Sequence, residues 1–303
     1  MRVIVHGGAG GVPDDPEPRQ AVLDEAAATG AAGATPLDAV ESAVGVLESD
    51  HRFNAGVGGA VQSDGVVRTD AGVMTSDREI GAACSMPGVE HAASVARIVR
   101  SETPHIFVSG EHAVDLAAEF GVETGVDLLT DEKRERYEAE DPPRGGPREH
   151  LDWLASRFGS GDDQAGGRSE GDASEKDAAP DHDTVGAVAT DGETFAAVTS
   201  TGGRSFALAG RVGDVPQVGS GFFCTEAGGA SATGAGEDIA RVTLSRRAVG
   251  HLEDGLDAQA AADRAIDEFE EITGSGAGVI VLGDERAGSA YNTDGMQTSV
   301  ADR

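Results

Sequence analysis

The most restrictive feature of this sequence is a polar tract that ends directly before a threonine and a β-strand. Residues 160–183 contain no hydrophobic side chain other than alanine, and they hold eight acidic residues against Arg168 and Lys176. A segment of this composition has nothing to bury, so we expect it to be a disordered linker. From Val185 onward, alternating faces of a strand are predicted up to the turn signal at Asp191-Gly192.

A threonine at this junction gains a chemical role if the chain is cut in front of it. Breaking the Asp183–Thr184 bond would make Thr184 a new N-terminus, and its free α-amine would then act as the base for its own hydroxyl. A plain linker between two ordered blocks would have the same composition. The junction alone therefore leaves both interpretations open.

Charge and hydropathy limit the partners and the cellular location that we expect for this chain. The 303 residues carry a net charge of −31, and phosphate binding needs a basic face, so nucleic acid is not an expected partner. No apolar run is long enough for a transmembrane helix, and the N-terminus does not resemble a signal peptide, so we expect a cytoplasmic protein. Acidity along the whole chain with two lysines is typical of proteins from a high-salt cytoplasm.

The two cysteines are predicted to be buried free thiols. Cys84 and Cys224 both lie among small apolar or aromatic residues, and no Cys/His cluster has the spacing of a zinc site.

The order of elements predicts a layered α/β protein. Strands and pairs of helices alternate on both sides of the polar tract, which favours sheets packed against helical layers. The predicted helices are 19–33, 36–50, 92–100, 111–120, 237–250 and 256–272, and the predicted strands are 3–6, 66–74, 79–86, 105–108, 184–190, 194–201, 277–282 and 288–292.

Several residues after the junction have side chains suited to acyl transfer. Thr201 closes the hairpin that Thr184 opens, and Thr233 with the backbone of Gly234 offers an oxyanion site. Arg211 and Asp214 flank a glycine turn and would together bind the carboxylate and the ammonium of an α-amino acid. A salt bridge between these two residues across their own turn is the structural alternative.

One motif is misleading. Gly167-Arg168-Ser169-Glu170-Gly171 matches the GxSxG nucleophile elbow, which requires a strand before the serine and a helix after it. Here the motif lies inside the polar tract, so we do not expect an esterase.

Motifs along nearly the whole chain are similar to one known family. They are His6-Gly7-Gly8-Ala9-Gly10, Phe53-Asn54-Ala55-Gly56, Asp183-Thr184-Val185-Gly186, Thr199-Ser200-Thr201-Gly202-Gly203, Gly210-Arg211-Val212-Gly213-Asp214, Thr233-Gly234-Ala235-Gly236-Glu237 and Tyr291-Asn292-Thr293-Asp294-Gly295-Met296. Together they resemble the plant-type (type 2) asparaginases, or isoaspartyl peptidases, which are N-terminal nucleophile (Ntn) hydrolases.

The resemblance implies a four-layer αββα sandwich made as a precursor. Autoproteolysis would give an α chain, 1–183, ordered to about residue 158, and a β chain, 184–303. The two chains would form one domain, and the αβ unit would form a homodimer.

The resemblance also implies a role for each matching residue. Thr184 would be the nucleophile, tuned by Thr201 and with Asn54 nearby. Thr233 and Gly234 would form the oxyanion hole, while Arg211 and Asp214 would bind the α-carboxylate and α-amino groups of an amino-acid or dipeptide substrate. No organic cofactor is expected, but the loop at roughly 48–58 resembles a sodium-binding loop, with ligands near Glu48, Phe53 and Ala55.

Substrate choice is less constrained than mechanism. His182-Asp183 is closer to the related glycosylasparaginases, which act on sugar-linked asparagine, whereas Thr201-Gly202-Gly203 follows the asparaginase form. The expected activity is release of aspartate from L-asparagine or β-aspartyl dipeptides. The alternatives are a glycosylasparaginase and an amino-acid-binding protein that never cleaves itself.

Overall fold

The computed structural model describes residues 1–13, 15–158, 184–284 and 286–303. The polar tract, the GxSxG motif and Asp183 therefore lie outside the described residues. The described part of the chain before this tract ends at Phe158, and the part after it begins at Thr184.

The described elements follow the predicted order with several additions. The strands are β1 (Arg2–Gly10), β2 (Arg68–Thr75), β3 (Ile80–Pro87), β4 (Phe107–Ser109), β5 (Val185–Thr190), β6 (Phe195–Thr201), β7 (Phe222–Thr225), β8 (Gly228–Gly234), β9 (Ala277–Leu282), β10 (Ala287–Tyr291) and β11 (Gly295–Asp302). The helices are α1 (Pro16–Ala31), α2 (Pro36–Glu48), α3 (Ala92–Glu102), α4 (Gly110–Glu119), α5 (Asp131–Ala139), α6 (Pro147–Phe158), α7 (Gly236–Val242), α8 (Leu244–Glu253) and α9 (Ala258–Thr273).

Two sheets organise the molecule. The larger has the strand order β11-β1-β5-β6-β2-β3-β4, and the smaller has the order β10-β9-β8-β7. The pairs are antiparallel except β3–β4, which is parallel. Strand β5 is an inner strand of the larger sheet, between β1 and β6. Thr184, which directly precedes β5, therefore lies at the end of an inner strand.

The sheets and helices stack in four layers, which confirms the predicted αββα sandwich. Helices α1 to α4 cover one face of the larger sheet, the smaller sheet packs on its other face, and α8 and α9 cover the smaller sheet. One apolar cluster joins the first helical layer to the larger sheet, and a second fills the space between the sheets and beneath α8 and α9. Among the helices that the structure describes, none combines the length and apolar character that crossing a membrane requires.

Strand β5 has the two faces that its sequence predicts. Val185, Ala187 and Ala189 belong to the cluster under the helices, whereas Val188 belongs to the cluster between the sheets. The thiols of Cys84 and Cys224 are free and buried, as predicted. Thr35 caps α2 by accepting a hydrogen bond from the Asp38 amide at 3.2 Å, and Pro36 stands in its first turn.

The single helix predicted over 237–250 is wrong. The chain forms two helices, α7 and α8, because Thr243 between them adopts a left-handed conformation with φ of 54°. The carbonyl of Val242 is thereby released from the helix, and it accepts hydrogen bonds from the Thr243 hydroxyl at 2.7 Å and from Arg247 Nε at 2.8 Å.

Other differences concern strands that are short or have few large side chains. Strands β7, β8 and β11 were not predicted, because β7 has only four residues, β8 consists of glycine and small side chains, and β11 is a partly exposed edge strand with few large apolar residues. The strand predicted at 105–108 is the shorter β4.

Glycine allows the two sheets to come close together. Gly72 on β2 faces the ring of Phe222 on β7, and a Cβ added at Gly72 would overlap that ring. Gly186 on β5 is in the same situation opposite Ser231 on β8. The separation of the sheets, and with it the distance between groups on β5 and β8, depends on these two positions.

We expect Gly72→Ala to destabilise the protein by about 1–3 kcal/mol, because the added methyl group overpacks the space between the sheets. The control is Gly45→Ala in α2, where an added methyl group meets nothing within 4 Å. That substitution should stabilise by about 0.5–1 kcal/mol, since alanine is the better helix former. Unfolding in denaturant measures both, and equal stabilities of the two variants would contradict the close approach.

Candidate active site

Three polar side chains form a row across adjacent strands at one end of the larger sheet. Val185 pairs with Ser200, which sets Thr184 beside Thr201, and Thr201 pairs with Asp70 on its other side. Side chains of directly paired residues point to the same face with Cβ atoms about 4.5–5.5 Å apart. The hydroxyl of Thr184 donates a hydrogen bond to the hydroxyl of Thr201 at 3.2 Å, and both residues are buried.

The smaller sheet brings Thr233 to the same end. A Cβ added at Gly229 would lie 2.8 Å from Val188 Cγ1, and one added at Gly186 would overlap Ser231. Gly229 on β8 thus faces Val188 on β5, and Ser231 faces Gly186. Two residues further along each chain segment, in the same register, Thr233 faces Thr184. Gly234 follows it in a backbone conformation with φ of 133°, which favours glycine.

Asn54 supports the row from the loop that follows α2. Its side chain accepts a hydrogen bond from the Ala60 amide at 2.7 Å and donates one to the Gly203 carbonyl at 2.6 Å. Its backbone carbonyl accepts from the Gly202 amide at 2.8 Å and from the Thr201 hydroxyl at 3.4 Å. Asn54 thus ties its own loop to the end of β6 and reaches Thr184 through Thr201.

Arg211 pairs with Glu237 instead of Asp214. The guanidinium donates two hydrogen bonds of 2.8 Å, from Nε and Nη2, to the two oxygens of Glu237 at the start of α7. Burial alone would raise the pKa of Glu237, but these bonds and the charge of Arg211 lower it to about 2. The salt bridge considered from the sequence is therefore replaced by a bidentate pair with another element, which fixes the orientation of Arg211.

Asp214 is a buried carboxylate with an unused acceptor. It is 5% exposed, and its Oδ2 has no hydrogen-bond partner among the described residues. Burial raises its pKa to about 7, although nearby Arg211 acts in the opposite direction. A methyl group at Gly236 would stand 2.7 Å from Asp214 Oδ1 and 2.9 Å from Arg211 Nη2, so a cationic and an anionic group flank the same point.

Asp70 was not recognised as a candidate from the sequence. It is 2% exposed, its Oδ1 accepts the Ser85 amide hydrogen at 2.6 Å, and burial raises its pKa to about 7 against the effect of that bond and of Arg211. The electrostatic interaction between Asp70 and Arg211 links the row of Thr184 to the charged pair. A charged residue on an inward face of the predicted strand 66–74 was the available signal.

A second polar chain lies between the sheets beside Thr184. His6 Nε2 is 2.9 Å from the Ser231 hydroxyl, which is 2.5 Å from the Thr199 hydroxyl, and Thr199 donates to the Gly221 carbonyl at 2.8 Å. Burial lowers the pKa of His6 to about 3, with the backbone of Thr184 opposing the change. His6 is therefore a neutral hydrogen-bonding group at physiological pH.

The loop predicted to bind sodium lies directly behind this end of the larger sheet. Glu48 is fully buried, and its Oε1 accepts hydrogen bonds from the Ser200 hydroxyl at 2.6 Å and the Ala93 amide at 2.9 Å. Phe53 and Ala55 are buried in the same loop, and the carbonyls of Glu48 and Glu90 both approach Gly56. Crowded carbonyl oxygens are ligands that suit a hard cation.

The arrangement is suited to acyl transfer on a small zwitterion. A hydroxyl pair stands at the start of a central strand, a threonine and a glycine that suit an oxyanion face it, and a cation and two carboxylates lie beside it. Such groups are the components of a nucleophile, an oxyanion site and an amino-acid recognition site.

We expect the stability of Asp214→Asn relative to the unmodified protein to depend on pH. Because the folded-state pKa of Asp214 is raised from 3.8 to about 7, the folded protein binds this proton more tightly than the unfolded chain, and stability is lost as pH rises through that window. Between pH 5 and pH 8 the variant should gain about 1–3 kcal/mol relative to the unmodified protein.

Denaturant unfolding at both pH values measures this difference. The control is Asp191→Asn, since hydrogen bonds from Thr194 and Glu193 overcome burial and lower the pKa of Asp191, so that its contribution is constant from pH 5 to pH 8. A constant difference for Asp214→Asn as well would show that its carboxylate is not held at a raised pKa.

Comparison with known proteins agrees with this geometry. The model of the asparaginase family matches residues 1–303. The chain is 36% identical to the plant-type L-asparaginase of Pyrococcus abyssi, over 98% of this chain and 94% of that protein. It is 35% identical to the isoaspartyl peptidase/L-asparaginase of Bos taurus, over 92% of this chain and 86% of that protein. This chain therefore belongs to the asparaginase family that includes the plant-type L-asparaginases and isoaspartyl peptidases.

Proposed function

We propose that this chain is a self-processing amidohydrolase that releases aspartate from L-asparagine and from β-aspartyl dipeptides, with Thr184 as its N-terminal nucleophile. The observation that carries the proposal is the hydrogen bond from the Thr184 hydroxyl to the Thr201 hydroxyl at 3.2 Å, directly before the start of β5. Thr233 stands across the sheets, and Arg211 and Asp214 lie close by. Family membership supports the same activity.

Maturation begins from the uncut chain. The hydroxyl of Thr184 attacks the carbonyl carbon of Asp183, the bond from that carbon to the Thr184 nitrogen breaks, and the nitrogen takes up a proton. Water then hydrolyses the resulting ester and leaves a carboxylate on Asp183 and a free amine on Thr184. The burial of Thr184, at 8% exposure, supports attack by a hydroxyl held in a fixed position.

Catalysis then uses the amine that maturation creates. An α-amine has a pKa of about 7.7–8.0, so a substantial fraction is neutral near pH 7–8 and can take the proton of its own hydroxyl. The hydroxyl attacks the side-chain carbonyl of the substrate, and the amide nitrogen leaves with a proton as ammonia or as the amine of a peptide. Water hydrolyses the β-aspartyl ester to aspartate and regenerates the threonine.

Two hydroxyls assist this step. Thr201 accepts the hydrogen bond of the nucleophile and keeps it oriented, and its own oxygen also accepts from the Gly203 amide at 3.1 Å. The Thr233 hydroxyl and the backbone at Gly234 would stabilise the oxyanion, and such a donor is worth about 2.7–4 kcal/mol in acyl transfer.

Charge supports recognition of the aspartyl moiety. Arg211 would bind the α-carboxylate, with Glu237 holding the guanidinium in a fixed plane. Asp214, whose Oδ2 is buried without a partner among the described residues, would accept the α-ammonium. Asp70 adds a second negative charge near the ammonium site. Protonation of these two carboxylates below about pH 7 should weaken substrate binding, since the neutral forms attract an ammonium less.

Other expectations from the sequence extend this proposal. We propose cleavage into an α chain, 1–183, and a β chain, 184–303, a homodimer of αβ units, a cytoplasmic location, and a sodium ion held by backbone carbonyls near Glu48, Phe53 and Ala55. Assays in high salt are appropriate because the net charge is −31.

We expect Thr184→Ala to remain one chain near the full mass of 30.7 kDa and to release no aspartate, because both steps need the hydroxyl. The matched control is Thr194→Ala, which removes an exposed hydroxyl in the adjoining hairpin turn. It should split into two chains and hydrolyse L-asparagine and a β-aspartyl dipeptide like the unmodified protein. A denaturing gel and an assay for aspartate measure both outcomes.

Three outcomes would contradict the proposal. Cleavage of Thr184→Ala into two chains would remove Thr184 from processing. An unmodified protein that stays at full length but binds aspartate would be an amino-acid-binding protein. Preference for a glycosylated asparagine over both proposed substrates would make it a glycosylasparaginase.

A further inference from the structure

The segment that carries Arg211 has almost no regular structure of its own. Residues 202–221 connect β6 to β7 without a helix, and their one strand-like feature is an isolated bridge at Val218. The backbone under Arg211 is therefore not held by a hydrogen-bonded ladder. Its position must come from contacts with other parts of the protein.

Residues 61–63 provide most of those contacts. The Val61 carbonyl accepts the Phe206 amide hydrogen at 2.7 Å, and the Ser63 amide donates to the Ala207 carbonyl at 2.8 Å. The Ser63 hydroxyl then accepts the Ala209 amide hydrogen at 3.1 Å. Residues 61–63 thus fix the position of the loop backbone from Phe206 to Ala209.

Gln62 extends the alignment to Arg211 itself. Its Oε1 accepts the Gly210 amide hydrogen at 2.8 Å, and its Nε2 donates to the Arg211 carbonyl at 3.1 Å. The side chain is 1% exposed, so water does not readily replace these bonds. A single buried amide therefore holds the backbone on both sides of the Gly210–Arg211 pair.

Arg68 fixes which way that amide points. Arg68 Nη1 donates to Gln62 Oε1 at 2.8 Å, and a guanidinium cannot accept a hydrogen bond, so the oxygen of Gln62 must face Arg68 and Gly210. Asp64 in turn binds Arg68 through two bonds of 3.0 and 2.8 Å. The nitrogen of Gln62 is left directed at the Arg211 carbonyl.

We propose that Gln62 is a positioning residue that sets the affinity of the active site for the α-carboxylate of its substrate. It acts through Arg211, whose backbone it holds while Glu237 holds the guanidinium. Within the described part of the chain, its side chain makes no hydrogen bond to Thr184 or Thr201. The proposal rests on the proposed function, in which Arg211 binds that carboxylate. A contact of this kind affects recognition of the α-carboxylate more than the chemical step.

Two variants and one control test the proposal. Gln62→Met keeps the length of the side chain and removes its three hydrogen bonds, those with Gly210, Arg211 and Arg68. Gln62→Glu keeps an oxygen for Gly210 and Arg68 and removes the donor to the Arg211 carbonyl. The control is Gln217→Met, an exposed glutamine of the same loop that donates to the Gly213 carbonyl at 2.7 Å.

The measurement is inhibition of β-aspartyl dipeptide hydrolysis by aspartate and by β-alanine, which is aspartate without its α-carboxylate. In the unmodified protein and in Gln217→Met, aspartate should inhibit at least about tenfold more strongly than β-alanine. In both Gln62 variants this ratio should fall by about tenfold, KM should rise by a similar factor, and kcat should stay within about twofold. Self-cleavage should be complete in all four proteins.

The outcomes separate this inference from the function on which it rests. An unmodified protein that releases no aspartate contradicts the proposed function. An active unmodified protein together with Gln62 variants that keep the full preference for aspartate contradicts the role of Gln62. A parallel loss of binding for aspartate and β-alanine, with lower kcat, would mean that Gln62 only supports the fold. If Gln62→Met fails to cleave itself, Gln62→Glu decides by the same ratio.

Discussion

The close approach of the two sheets is the constraint on which the active site depends. Gly72 and Gly186 have no side chain where the sheets meet, and the ring of Phe222 and the hydroxyl of Ser231 occupy the space that a Cβ would need. This fit sets the register in which Thr184 on one sheet faces Thr233 on the other. The packing of the two sheets thus positions the proposed nucleophile and the proposed oxyanion donor.

The same end of the sandwich concentrates unfavourable charge. Asp70 and Asp214 are buried carboxylates whose pKa values are both raised to about 7, and Arg211 is engaged by Glu237. A site of this kind is less stable when empty than an apolar one would be. In the proposed function, an ammonium group from the substrate would relieve the repulsion, and the energy that destabilises the free site would contribute to binding.

Part of this structure could be predicted from the sequence, and the reasons are physical. The alternation of Val185, Ala187 and Ala189 revealed the two faces of β5. The hydroxyls at Thr184, Thr201 and Thr233 were candidates from the sequence, and the structure brings them to one end of the sandwich. Asp70 was missed because β2 lies beside β6 only in the folded sheet, and nothing local reveals that pairing. The Arg211–Glu237 pair and the contact of Gln62 with Gly210 also join segments far apart in the chain.

The most direct test of Thr184 as the nucleophile is to trap the covalent intermediate. The purified protein would be mixed with a β-aspartyl dipeptide, quenched in acid within the first turnovers, digested and analysed by mass spectrometry. We expect an aspartyl ester on a peptide that begins at Thr184, with the added mass on the threonine side chain. An adduct on any other residue, or an active protein in which the Asp183–Thr184 bond is intact, would contradict this role of Thr184.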